Sequence, residues 1–232
     1  MRVVGVVQAR MGSARLPGKS LMELGGIPLA AHPLRRLRLA QSLTEVVLAT
    51  STEPGDDALA ALAEGEGVRC VRGSEQDVLS RFALAARETE ADVIVRVTGD
   101  CPFVDPEVVD RVARELVEHA DECDYASNVL RRTYPRGLDV EALSAEALER
   151  ADRLATSPEA REHVTWHLYR ERPDLYRLRS VELEGEDFSE LDWSVDSAED
   201  LERVRKLYAG VSDVEPSPSW RTIARIASAD SH

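Results

Sequence analysis

The sequence predicts an α/β protein, a three-layer sandwich around a mostly parallel central sheet, and three observations predict it. Short apolar runs alternate with amphipathic stretches of helical period through the first half of the chain. Each run is β-branched and nearly all apolar at its centre, as a strand covered on both faces by helices must be. Alternation of this kind, joined by right-handed crossovers, leaves helices on both sides of one sheet.

The first-half strands are expected at 3–7, 45–50, 68–71 and 92–97, with helices near 29–40, 56–64 and 77–89. Asp105 before Pro106 reads as a helix start, with a carboxylate N-cap and proline at the first helical position. Val108, Val109, Val112 and Leu116 then share one face of that helix. The second half is less regular. Short strands are expected at 125–129 and 140–143, and a helix at 144–153. A longer helix opens at Ser157-Pro158 and runs to about 172, where Pro173 stops it. An alternating strand at 176–184 and another at 191–195 precede a helix capped by Ser197. Residues 211–232, rich in Ser, Asp and Pro, are expected to form a loosely packed tail with a short helix near 221–227.

Composition narrows the function. A chain of 232 residues, 43% hydrophobic and 31% charged, can bury a sizeable single core. Its formal charge of −14 repels a phosphate backbone and argues against general nucleic-acid binding. A small polyanion requires only that cations be concentrated locally. Cys70, Cys101 and Cys123 have no metal-type spacing and read as small core residues. No apolar run approaches the length of a membrane span and no leader pattern opens the chain, so a cytoplasmic, reduced protein is expected.

The first strand runs directly into Gln8-Ala9-Arg10-Met11-Gly12-Ser13-Ala14-Arg15-Leu16-Pro17-Gly18-Lys19. Gly12, Ser13 and Gly18 let backbone N–H groups approach phosphate oxygens, while Arg10, Arg15 and Lys19 supply charge. The alternative is a basic surface turn. The segment is neither a Walker A loop nor G-x-G-x-x-G, which disfavours an ATPase or a dinucleotide-dependent dehydrogenase. Two further strands end in carboxylates, one at Thr98-Gly99-Asp100 and one at Val195-Asp196. Ligands bind beyond such strand ends, and two carboxylates completed by substrate phosphates suit Mg²⁺. Taken singly, Asp100 reads equally as a turn residue and Asp196 as the residue before the Ser197 cap.

These residues carry a family resemblance. The Gln8–Lys19 segment resembles the signature loop of nucleotide-sugar cytidylyltransferases, the group of the CMP-Kdo and CMP-acylneuraminate synthetases. The nearest likeness is to the spore coat polysaccharide branch. Gly73-Ser74-Glu75-Gln76-Asp77, Arg96-Val97-Thr98-Gly99-Asp100, Tyr134-Pro135-Arg136-Gly137-Leu138-Asp139-Val140-Glu141, Arg161-Glu162-His163-Val164-Thr165 and Trp193-Ser194-Val195-Asp196 agree in order and spacing. The resemblance covers about residues 1–208. Asp192, where that branch is often basic or neutral, and Ala198, where proline is frequent, depart from it.

The resemblance implies a GT-A-like nucleotidyltransferase fold over 1–210, with a sugar-binding or dimerisation subregion at about 125–190. It implies Mg²⁺-dependent transfer of CMP from CTP to a sugar, with pyrophosphate release. Gln8, Ala9, Arg10, Gly12, Ser13, Lys19, Ser74, Asp77, Thr98 and Gly99 would then meet the nucleotide, and Asp100 and Asp196 the metal. Arg10, Arg15, Lys19 and Asp100 would be catalytic. Ser74 and Asp77 most simply cap a helix, although the family match puts them near the nucleotide. Asn128, Tyr134, Arg136, Asp139 and Glu141 suit a polyhydroxylated ligand, the alternative being a polar hairpin. His163 reads equally as a substrate contact or a packed helix residue, and Trp166 and Tyr169 as core or dimer contacts. A homodimer is plausible by the same resemblance. A nucleotidyltransferase acting on a sugar 1-phosphate and a catalytically silent binding protein are the rival readings.

Overall fold

The computed structural model describes residues 1–212 and 217–229. In chain order its elements are β1 (Val3–Gln8), a short antiparallel hairpin of β2 (Glu23–Leu24) and β3 (Ile27–Pro28), α1 (Ala31–Leu37), β4 (Glu45–Ser51), α2 (Asp57–Gly65), β5 (Arg69–Gly73), α3 (Val78–Thr89), β6 (Val93–Thr98) and α4 (Pro106–Glu118). There follow β7 (Tyr125–Ser127), β8 (Glu141–Ser144), α5 (Ala145–Leu154), α6 (Pro158–Glu162), β9 (Leu178–Ser180), α7 (Ala198–Ser212) and α8 (Trp220–Ala229).

The central sheet has the order β5-β4-β1-β6-β8-β7-β9. Its first four strands are mutually parallel, β8 runs antiparallel to β6 and β7, and β9 pairs parallel with β7. Period-2 alternation sorts the side chains into two cores. Val3 and Val7 join α1, α2, α4, α7 and α8 on one face; Val4 and Val6 join α3, α5 and α6 on the other. This is the three-layer α/β sandwich expected. The chain leaves β1 toward β4 on one side and returns to β6 on the other, so the sheet reverses order between β1 and β6. A crevice opens there, beyond the carboxyl ends of both strands.

Helix starts follow the expected chemistry. Asp77, Asp105, Ser144 and Ser157 each accept a backbone N–H of the first turn, from Ser80, Glu107, Ala147 and Ala160. The expected helix from Ser157 does not run through. It stops at Glu162, passes through Val164 at φ 47° and resumes as a single wide turn, His167–Glu171. A β-branched residue at positive φ is strained, and it persists because Val164 is fully buried. The strand expected at 191–195 makes only one bridge, Asp192 to Arg136, and that at 176–184 shortens to β9. Over 217–229 the tail packs more firmly than its composition suggests. Trp220, Ile223 and Ala224 are buried in the first core, while 213–216 and 230–232 lie outside the described residues. Among the described residues, no helix is long and apolar enough to cross a membrane.

Candidate functional site

The loop after β1 is pinned from three sides. Ala9 N donates to Ala49 O and Gly99 N to Gln8 O, at 3.2 and 2.8 Å, tying the loop to β4 and to the loop after β6. A Cβ on Gly99 would lie 3.0 Å from Ala9 Cβ and 3.1 Å from Gln8 O, so only glycine allows that approach without displacement. Met11 N donates to the buried Asp56 carboxylate at 2.7 Å. Met11 O accepts from both Ser13 N and Gly18 N, and Gly18, at φ 75°, turns the chain into Lys19.

Lys19 is the electrostatic centre. Its Nζ donates to Asp100 Oδ2 at 2.7 Å, Val195 O at 2.7 Å and Asp196 Oδ1 at 3.0 Å. Arg15, itself largely exposed, reaches the same Asp196 oxygen at 2.9 Å. Thr98 Oγ1 donates to Asp100 at 2.5 Å. Burial works against charge on Asp100, but Lys19 and the Thr98 hydroxyl outweigh it and hold its carboxyl below the usual range. Burial likewise opposes charge on Lys19, and the two carboxylates raise it above its ordinary value. Both ends of the cluster are therefore ionised at neutral pH. Asp100 and Asp196 converge on one point from β6 and from the segment before α7, as expected, and a cation of the protein's own occupies that point.

Two cavities meet beside this cluster. One, of about 330 Å³, is lined by Gln8, Ala9, Arg10, Ser13, Arg15, Lys19, Thr98, Gly99, Asp100, Glu162, His163 and Asp196 among others. The second, of about 490 Å³, is lined by Arg132, Arg136, Asp139, Glu141, Thr165, Trp166, Tyr169 and Arg170. Arg96, Thr98 and His163 line both. A larger groove of about 920 Å³ between α7 and the Glu190–Trp193 segment lacks these converging groups.

Most of the expected site residues thus come together, and several do not. Gly12, Ser74 and Asp77 do not line the first cavity. Asp77 is spent on the cap of α3 and on Arg161, which donates to it at 2.8 and 2.5 Å; Ser74 Oγ accepts Asp77 N. Asn128 and Tyr134 are corrected from ligand contacts to structural residues. Asn128 is fully buried, its amide bonded to Leu138 O and Val140 N. Tyr134 is 2% exposed, tilted against the Trp220 ring and bonded to Arg111. Arg136, Asp139, Glu141 and His163 do reach cavity walls. Trp166 and Tyr169 pack against the second core, as expected, and also line the second cavity, with Arg170 over both rings.

Sequence reasoning missed Arg96, Arg132, Thr165 and Arg170. Arg96 had a readable signal: it is the one charge in the otherwise apolar Val93–Val97 run of β6. Thr165 stood only within the Arg161–Thr165 segment of the resemblance; helix periodicity gave no sign of it, because the turn at Val164 that presents it breaks the helix.

Comparison with known proteins shows what the chain is similar to. A family model described as cytidylyltransferase matches residues 4–212. The chain is 35% identical over 213 residues to the spore coat polysaccharide biosynthesis protein SpsF of Bacillus subtilis, covering 89% of this chain and 86% of that protein. A solved cytidylyltransferase from Leptospira borgpetersenii superposes with a TM-score of 0.92 at 29% identity, covering 99% of this chain and 95% of that one. A CMP:2-keto-3-deoxy-manno-octonic acid synthetase complexed with CTP shares the fold, with a TM-score of 0.69 at 22% identity over 90% of this chain and 99% of that one.

Proposed function

The chain belongs to the cytidylyltransferase family, and from that premise we propose that it transfers CMP from CTP to an anionic sugar and releases pyrophosphate. The observation that carries the reading is the convergence of Asp100 and Asp196 on Lys19 in the wall of the first cavity, beside Thr98, which both cavities share. The first cavity, with Arg10, Arg15, Lys19 and the backbone of Gln8–Ser13, takes the triphosphate. The second takes the acceptor.

A divalent metal fits this donor set. Two carboxylates already hold a cationic centre within 3.0 Å, and the structure has no cluster of three or more metal-type side chains among the described residues. An all-oxygen pair of this kind suits Mg²⁺, which keeps waters and substrate phosphates for the rest of its shell. Asp100 and Asp196 would hold it, and it would supply charge neutralisation at the phosphates. Lys19 would then turn its ammonium from the carboxylates to phosphate oxygens. Transfer needs charge neutralisation and alignment more than covalent catalysis. An acceptor oxygen bonds to the α-phosphorus while the bond to the bridging oxygen breaks, and pyrophosphate leaves with that electron pair. A hydroxyl acceptor gives its proton to water; a phosphate acceptor has none to give.

The acceptor cavity carries Arg96, Arg132, Arg136 and Arg170 against Asp139 and Glu141, a surplus of cations that selects an acid sugar or a sugar phosphate. Because CTP is a cytoplasmic substrate, we place the reaction there. Pyrophosphate release with CTP, Mg²⁺ and a panel of free acid sugars and sugar 1-phosphates tests the reading and separates the two acceptor classes. Asp100→Asn is expected to lower that release by roughly 10²–10³-fold with unfolding unchanged, the size of losing one preorganised electrostatic contact. Full activity in that variant refutes the assignment of the carboxylate pair, and silence across the panel with tight CTP binding favours a silent binding protein.

A further inference from the structure

We propose that Arg96 is a catalytic residue that grips the phosphoryl group in transfer, at the boundary between the two cavities. The inference rests on reading those cavities as nucleotide and acceptor subsites. An acceptor oxygen and the phosphorus it attacks must approach to about 3–3.5 Å, so the reacting atoms lie where the cavities join. Three side chains line both cavities, Arg96, Thr98 and His163, and Arg96 alone among them is a permanent cation.

Its hydrogen bonding leaves it ready for an anion. Nη1 donates to Glu141, whereas Nε and Nη2 share a single neutral acceptor, Gln8 Oε1, at 3.3 and 3.2 Å. Those two bonds are long for N–H···O, and charge-assisted bonds to a phosphoryl oxygen run shorter, at about 2.7–2.9 Å, and stronger. Gln8 lines the nucleotide cavity beside them. A phosphoryl oxygen displacing the Gln8 carbonyl therefore gains a two-pronged donor at small cost.

The fork is also held in place before substrate arrives. Glu141, 7% exposed at its side chain, accepts Tyr125 Oη and Thr165 Oγ1, both at 2.6 Å, as well as Arg96. The positive φ of Val164 turns Thr165 toward that carboxylate and breaks the helix to do so. Burial opposes the Arg96 charge and the Glu141 carboxylate outweighs it, so the guanidinium stays cationic and passes no proton during transfer. It neutralises the oxygens of the α-phosphoryl group while the acceptor bond forms and the pyrophosphate bond breaks.

The test compares two halves of the nucleotide by calorimetric titration in magnesium buffer. CMP carries the transferred phosphorus; pyrophosphate carries only the leaving group. Arg96→Gln is expected to weaken CMP about tenfold, the loss of one charge-assisted contact, while pyrophosphate affinity stays within about twofold. Arg96→Lys, which keeps the charge but not the fork, recovers part of the CMP affinity. A purely structural ion pair predicts that both ligands weaken together, in step with the thermal midpoint. That pattern, or unchanged CMP affinity, overturns the proposal. If Arg96→Gln does not fold, Arg96→Lys decides alone: a loss for CMP and none for pyrophosphate supports the role, and no loss for either overturns it. Wild-type protein that binds neither ligand overturns the reading of the cavities instead, and the proposal with it.

Discussion

The Asp56 carboxylate, 2% exposed, accepts from Met11 N, Thr50 Oγ1, Ser51 N and Ser51 Oγ. Burial opposes its charge, and these hydrogen bonds outweigh burial, so its carboxyl titrates below the ordinary range. One of the four donors belongs to the phosphate-type loop, which makes Asp56 a clamp between β4 and the site. In Asp56→Asn, one side of the group turns from acceptor to donor and meets other donors. Leaving a buried donor unpaired costs about 1–3 kcal/mol, and part of the loss falls on the loop at Met11. We expect the unfolding free energy from urea titration lowered by that amount and a several-fold weaker CTP affinity. A variant as stable as wild type, with unchanged affinity, refutes the clamp. Gly99 acts at the same scale from the other side of the loop, by having no Cβ to hold Gln8 and Ala9 away.

At the scale of elements, the α1 segment adds a pH response. His32 is 6% exposed, its Nε2–H donating to Leu24 O at 2.9 Å, with Tyr208 edge-on at 5.2 Å. Burial, then the neighbouring Arg35 and Arg36 charges, push its pKa down to about 4 from the ordinary 6.5 against the Leu24 bond. The folded state therefore keeps the ring neutral while the unfolded chain binds a proton between those two values. Stability from this group is complete above 6.5 and is lost as pH falls toward 4, by about 3 kcal/mol in all. Denaturation of wild type and His32→Gln at pH 7 and pH 4.5 checks it, since the variant should lack most of this share of the acid sensitivity. Parallel curves for the two proteins sink the assignment. Element legibility followed burial. Strands β1, β4 and β6 were readable because they are covered on both faces and apolar along most of their length; β5 was readable from Val68, Cys70 and Val71, although Val71 is its one buried residue. The region after Tyr125 was readable only in part: β7, β8 and α5 fall within a residue or two of expectation, whereas the helix from Ser157 and the strands expected at 176–184 and 191–195 do not. Its strands are three or four residues long, and the break at Val164 is imposed by packing and by Thr165 reaching Glu141 rather than by any local breaker residue. The loop after β1 and both carboxylates could be read because glycine and charge punctuate strand ends. Asn128 and Tyr134 misled because polar side chains that satisfy a buried backbone look, in sequence, like ligand contacts.

For the whole molecule, the two faces of the sheet divide the work. The site draws its walls from the carboxyl edge of the sheet, from the end of α6 and the turn after it, and from Asp196 ahead of α7, whereas α7 and α8 themselves close the opposite core. The family match ends at residue 212, yet the described chain beyond it is firmly attached. Arg36 donates to Ser217 Oγ and Pro218 O, and Trp220 N donates to the Asp105 carboxylate that caps α4. The Trp220 indole, 3% exposed, packs against Tyr134 and Phe188 with ring centroids 5.5 and 5.4 Å away. Truncating a large buried aromatic costs about 3–5 kcal/mol through lost transfer energy and the cavity left behind. Trp220→Ala is therefore expected to be among the more damaging substitutions to stability. Its rings touch neither cavity wall, so the folded fraction should bind CTP with wild-type affinity. Denaturant titration and calorimetry on the same preparation separate the two effects. Affinity that falls with stability instead means that α8 braces the site across the sheet, and the division between a binding face and a closing face must then be abandoned.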